Sequence, residues 1–140
     1  MFKGTIALFV LILLLAVGGT ASARRTVSSN IRVQGSACSG AISWQTAGRN
    51  IGRYLTVRGR VAGTVYASSS NGAPTFLNLG NNYPNMNRFT VVIWGRNRSS
   101  FGTPELRYRG RTICVHGRVS AYAGVPQIEA TSPSQIGVLR

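Results

Sequence analysis

The groups that could support catalysis are few: two carboxylates, Glu105 and Glu129, one histidine, His116, and two cysteines, Cys38 and Cys114. Metal-dependent cleavage of a phosphodiester needs several carboxylates around a hard cation and a further one as general base. Two carboxylates remote from each other in the chain do not make such a set, so no hydrolytic activity is expected. Glu105 follows Thr103 and Pro104, the pattern of an N-cap, an N1 proline and an acid in the first helical turn, where the helix dipole favours it. Glu129 falls in a strand-like stretch and is expected to face outward and pair with a nearby arginine. Cys114 and His116 stand two residues apart and offer two soft ligands on one strand face, yet a closed zinc site takes four. The expectation is a plain surface histidine, no metal, no cofactor and no enzyme.

What the chain holds in quantity is arginine. Sixteen cations, of which Lys3 is the single lysine, stand against two acids in 140 residues, a net charge of +14. Such a balance repels itself and is favoured where an anionic polymer or surface neutralises it. An arginine-rich genome would account for the missing lysine but not for the missing acids. Arg58, Arg60, Arg88, Arg96 and Arg98 fall among Tyr66, Phe76, Tyr83 and Trp94. Guanidinium groups beside exposed rings can neutralise phosphates and stack on bases without reading sequence. Arg107, Arg109 and Arg111 form a second cluster, which reads as the solvated C-terminus of a short helix.

These side chains need a scaffold, and the first 23 residues are not part of it. Lys3, the apolar run from Ile6 to Val17 and Ala21-Ser22-Ala23 have the form of an export signal cleaved after Ala23. The run is shorter than the roughly 20 apolar residues of a membrane span; the alternative is an uncleaved anchor on the outer face of a membrane. Residues 24–40, rich in Ser, Gly and Arg, predict a flexible basic arm, and residues 41–140 a single domain. A secreted or periplasmic location is expected, where cysteines can be oxidised. Cys38 and Cys114 permit one bridge, between the arm and the domain, without compelling it.

From Tyr54 the apolar period is two: Leu55, Val57, Gly59, Val61, Gly63 and Val65 on an inward face, Tyr54, Thr56, Arg58, Arg60, Thr64 and Tyr66 on an outward one. Glycines 59 and 63 would let this strand bend as a small barrel requires. Four further strands are predicted, Thr75 to Leu79, Phe89 to Trp94, Thr112 to Ala121 and Pro126 to Thr131. A short N-terminal helix opens at Ser43, anchored by Ile42 and Trp44 and stopped by Gly52, and residues 96–100 read as a loop before the short helix that Thr103 opens. Five strands with a helix between the third and fourth is the order of an all-β OB-fold, a Greek-key barrel. On its outer surface Phe76, Asn78, Thr90, Val92 and Trp94 would form the platform on which such barrels bind oligonucleotides, although a slip of one residue would send Phe76 or Trp94 into the core.

The segments Ile51-Gly52-Arg53-Tyr54, Ala67-Ser68-Ser69-Ser70-Asn71-Gly72, Pro74 to Gly80, Phe89 to Gly95 and Pro126-Gln127-Ile128 carry a further signal. Through them the chain from Ile42 to Ile136 resembles a family of small bacterial OB-fold nucleic-acid-binding proteins, related in fold to staphylococcal-type nucleases. The resemblance implies the barrel and a nucleic-acid partner. It also shows a departure: similar sequences often carry a cysteine where this chain has Arg58, so the partner of Cys114 is either lost or replaced by Cys38. The combined expectation is an exported module that binds single-stranded nucleic acid with little sequence preference. Arg58, Arg60, Arg88, Arg96 and Arg98 would hold phosphates, and Tyr66, Phe76, Asn78 and Trp94 would meet bases. Envelope polyanions, a membrane surface or an acidic protein partner are the competing classes; the sequence leaves the oligomeric state open.

Overall fold

The computed structural model describes residues 38–139. The export signal and the arm up to residue 37 lie outside the described residues. The expected alternation of apolar residues builds β2 over Tyr54–Tyr66, which follows a two-residue strand, β1, Ile42–Ser43. Then come β3, Thr75–Leu79, β4, Phe89–Ile93, β5, Thr112–Tyr122, β6, Val125–Glu129, and β7, Ile136–Val138. Five of them close a ring in the order β2-β3-β4-β6-β5, with β5 pairing back onto β2. Every contact of the ring is antiparallel except β4 with β6. That is the OB-fold ring. The strand count is seven rather than the expected five, because β1 adds in parallel to β2 and β7 adds to β5.

The interior is filled by the inward residues of all five ring strands, among them Val57, Val61, Leu77, Phe89, Val91, Ile93, Ile113, Val115, Val119 and Ile128. The N-terminal helix is a 3-10 segment, Trp44–Asn50, capped as expected by Ser43, whose hydroxyl accepts from the Gln45 N–H at 3.4 Å. It contributes the fully buried Ala47 to the core, and the indole of Trp44 lies over two glycines: a Cβ on Gly59 would stand 2.9 Å, and on Gly80 2.1 Å, from ring carbons.

Two departures from the expected elements matter for function. Between Val61 and Gly63 the register of β2 against β3 shifts by one residue, a bulge at Ala62. Beyond it the faces exchange, since a one-residue slip flips every side chain. Val61 opposes the inward Leu79, but Gly63 opposes Asn78 and Val65 opposes Phe76 on the outer face. Thr64 and Tyr66 therefore leave the outward set to which their sequence positions assign them, and Gly63 and Val65 join it. Second, residues 95–101 are helical (α1, Gly95–Phe101) where a loop is expected, because Phe101 is drawn into the core; β4 consequently ends at Ile93 and Trp94 becomes the residue before the helix. The helix expected after Thr103 is α2, Pro104–Arg107, with Glu105 in its first turn.

The two cysteines are joined, Cys38 to Cys114. Cys114 stands on the outward side of β5, opposite Arg58, and has no exposed surface; its sulfur is bonded to Cys38.

Candidate nucleic-acid interface

The outer face of β3, β4 and β6 carries a groove of about 300 Å³. Phe76, half-buried, lies in it beside Val65, and Tyr83 and Tyr122 stand at its rims, 68% and 75% exposed. Its polar lining is Asn78, Thr90, Gln127 and Arg88. The Thr90 hydroxyl donates to Asn78 Oδ1 at 3.1 Å, and Asn78 Nδ2 donates to Asn82 Oδ1 at 3.1 Å. Asn78 is thus on the predicted face but 3% exposed, so it supports the groove floor rather than offering a free amide as expected. The Gln127 amide makes no side-chain hydrogen bond among the described residues and is the freer polar group.

The loop of residues 80–88 closes one side. Asn82 occupies the space over Gly63, where a Cβ would come within 2.0 Å of its Oδ1, and the same oxygen accepts from the Tyr83 N–H at 2.9 Å. The alternation places Gly63 on the inward face, where it would let the strand bend; past the bulge it instead leaves room on the outer face for the side chain that anchors the loop. The loop delivers Tyr83 and Arg88 together, with the guanidinium carbon 5.4 Å from the ring centroid, inside cation–π range. Arg88 Nη1 donates to the Asn85 carbonyl at 2.5 Å, while its Nε is buried with no partner.

The remaining predicted site residues lie elsewhere. Trp94 packs on the loop before β3, its ring carbon 2.9 Å from where a Cβ of Gly72 would be. Tyr66, turned by the bulge, is 40% exposed and carries the Arg98 guanidinium over its ring, the guanidinium carbon 3.7 Å from the centroid. Arg98 is itself engaged: it donates to both oxygens of Glu105, at 2.7 and 2.8 Å, and to the hydroxyl of the buried Thr75 at 2.8 Å. A guanidinium held by a carboxylate on its two-pronged edge is not a free phosphate ligand. Arg96 is exposed in α1, and Arg58 and Arg60 line a separate recess. The arginines expected to converge beside the rings are therefore dispersed, and Arg88 alone among the described arginines lines the groove. Tyr122, Val125 and Gln127 were missed; the tyrosine preceding the Ala123-Gly124 turn was the available signal, since a hairpin tip beside the platform strands exposes its flanking ring.

Glu105 and Arg98 form the only ion pair among the described residues. Glu129 is exposed and makes none, which corrects the expectation of an arginine partner. His116 is exposed and shares a 3.1 Å hydrogen bond with Thr56, and its neighbour Cys114 is consumed by the bridge. The hydrogen bonds from Arg98 hold the Glu105 carboxyl below its ordinary value of 4.5. A carboxyl with a folded pKa below its unfolded one binds more protons when unfolded, so its stabilisation is full above the ordinary value and is lost as pH falls through the folded one. The half-buried, two-pronged pair is expected to be worth about 2 kcal/mol at neutral pH. Denaturant unfolding from pH 7 down to 2 should show that loss in the native chain, and Glu105→Gln should start lower at pH 7 and flatten the profile.

No family model matches the chain, and no curated protein does. Solved structures similar to it include the Stn1-Ten1 complex of S. pombe, at 18% identity over 63% of this chain and 59% of that one, TM-score 0.46. The p204 HINb domain is 11% identical over 86% of this chain and 56% of its own, TM-score 0.47. Asparaginyl-tRNA synthetase from Pyrococcus horikoshii is 14% identical over 71% of this chain and 23% of its own, TM-score 0.46. The chain thus spans less than two thirds of each of these proteins.

Proposed function

We propose that this OB-fold domain is a non-catalytic, exported module that binds single-stranded nucleic acid in the groove between Phe76, Tyr83 and Tyr122. The observation that carries the reading is the gathering of Phe76, the exposed Tyr83 and Tyr122, and Arg88 in one groove on the outer face. Bases would lie on Phe76 and between the rim tyrosines, each stack contributing roughly 1 to 3 kcal/mol without reading sequence. Arg88 would hold a phosphate, and the Gln127 amide would meet a base edge. The net charge of the chain raises the local concentration of any polyanion and speeds encounter. The Cys38–Cys114 bridge supports export, since such bonds persist in oxidising compartments.

Fluorescence anisotropy of the domain with labelled single-stranded and duplex oligonucleotides across a salt series tests this. Single strands should bind more tightly, with log K falling against log salt at a slope near −0.7 per phosphate contact. Phe76→Ala or Tyr122→Ala should weaken binding about tenfold with the slope unchanged, whereas Arg88→Ala should make the slope shallower by about 0.7. A flat salt dependence, or indifference to loss of both rings, would sink the proposal. A second reading, an envelope polyanion as the ligand, is favoured by the dispersal of the arginines. It requires heparin-like polymers to bind as tightly as oligonucleotides and the ring substitutions to have no effect.

A further inference from the structure

Ahead of the bulge, the outer face of β2 borders a recess of about 370 Å³ lined by Arg58, Arg60, Ser43, Trp44, Ala41 and Thr112. Both arginines are exposed, and neither has a carboxylate within 4.0 Å among the described residues. They occupy alternate positions of one strand, so their attachment points stand about 6.6 Å apart. At that spacing two arginine side chains can both reach one small anion. Each faces a hydroxyl-bearing residue across the sheet, Arg58 opposite Ser43 and Arg60 opposite Thr112. The Arg60 guanidinium also extends toward Gly110, whose added Cβ would lie 3.9 Å from Nη2 and whose chain neighbours are Arg109 and Arg111.

The recess is walled by a segment that the disulfide holds in place. The Ala41 N–H donates to the Cys38 carbonyl at 3.2 Å, and Cys38 is bonded to Cys114, which opposes Arg58 in the sheet. On the other side, Asn82 over Gly63 stands between the outward residues before the bulge and Val65 in the ring groove. The recess has two cations, the Thr112 hydroxyl and a single ring, Trp44, which already packs on Gly59 and Gly80, while the Ser43 hydroxyl is engaged with Gln45. Its chemistry is therefore that of charge and hydrogen bonds, not of stacking.

We propose that this recess is a separate binding site for one tetrahedral oxyanion, a phosphate or sulfate group, clamped between Arg58 and Arg60. Charge-assisted hydrogen bonds from two guanidinium groups suit the several acceptor oxygens of such a group, which chloride lacks. The site stands on residues other than those of the ring groove and does not depend on the nucleic-acid reading.

Titration of the full exported chain with inorganic phosphate, and separately with sulfate, against chloride at constant ionic strength tests it by calorimetry. Trp44 fluorescence in a Trp94→Phe background provides a second readout, as the chain has two tryptophans. Saturable binding above the chloride blank is expected, weakened about tenfold or more by Arg58→Ala or Arg60→Ala. Phe76→Ala should leave it intact, which separates this site from the groove, and Arg118→Ala, an exposed arginine elsewhere on β5, should leave it intact too. Comparing polyphosphate with a heparin fragment then assigns the source of the group, since the polymer carrying the preferred anion gains affinity over the free ion. Binding no stronger than chloride, or equal affinity in the native chain and both arginine variants, overturns the proposal.

Discussion

Replacing Cys38 and Cys114 together with alanine is expected to lower stability by about 4 kcal/mol. The bridge closes a loop of 76 residues in sequence, and the chain-entropy relation for a loop of that length gives roughly 4 to 5 kcal/mol at 25 °C. The effect acts mainly through the unfolded chain, so the native contacts of β1 and the Trp44–Asn50 segment need not change for it to appear. Those contacts are short, however: β1 pairs through two residues, and Ala47 is the one residue of the 3-10 segment that is fully buried. Without the bridge the segment should therefore fray, and the oxyanion recess should lose its wall. Urea unfolding of the oxidised chain, the reduced chain and the double variant measures this. A loss below 1 kcal/mol in both the reduced chain and the variant would show that the segment docks without covalent help.

Gly80→Ala is expected to cost about 3 kcal/mol or more, for two reasons that add. Gly80 has φ +79°, a left-handed conformation in which a Cβ costs roughly 1 to 2 kcal/mol. That Cβ would also stand 2.1 Å from Trp44 Cζ2, so the indole must move, and overpacking of this kind costs typically 1 to 3 kcal/mol. Gly124 supplies the control. It has the same φ, +79°, but its nearest neighbour, Met86 Cε, would be 3.8 Å from an added Cβ. Gly124→Ala should therefore show the backbone cost alone, and the difference in unfolding free energy between the two variants isolates the packing against Trp44. Equal losses would mean that the indole shifts freely and does not plug the barrel.

The ring of five strands was legible because β2 ahead of its bulge and β5 alternate buried and exposed residues while β3, β4 and β6 are short apolar runs bounded by turn residues, and their ends fell within two residues of those observed. The additional strands β1 and β7 were not, since two or three residues hold no period. The helix over Gly95–Phe101 was hidden by its composition: glycine and two serines read as a loop, and only the burial of Phe101 overrides them. The site was half legible. Phe76 and Arg88 lie together on the outer face of the ring, where the sequence put them, and Tyr83 stands beside them. Tyr66, Trp94 and Arg98 do not, for separate reasons: the bulge turned Tyr66, the helix took Trp94 off β4, and Glu105 claimed Arg98. A bulge leaves no mark in a pattern of alternation when, as here, Val61, Gly63 and Val65 continue the period through it. Gly63 could have signalled it, because a glycine within a strand accompanies a bulge or the close approach of another chain segment, and here both occur.

The extra residue in β2 also makes the character of the outer groove a matter of phase rather than of side-chain identity. Shortening the strand by one position at Ala62 would carry Val65 under the barrel wall and swing Thr64 and Tyr66 into its place, so the same amino acids would present a hydroxyl and a phenol where an aliphatic side chain now lies. Chains differing by a single-residue indel here would thus present a different lining at this groove with no substitution anywhere in it.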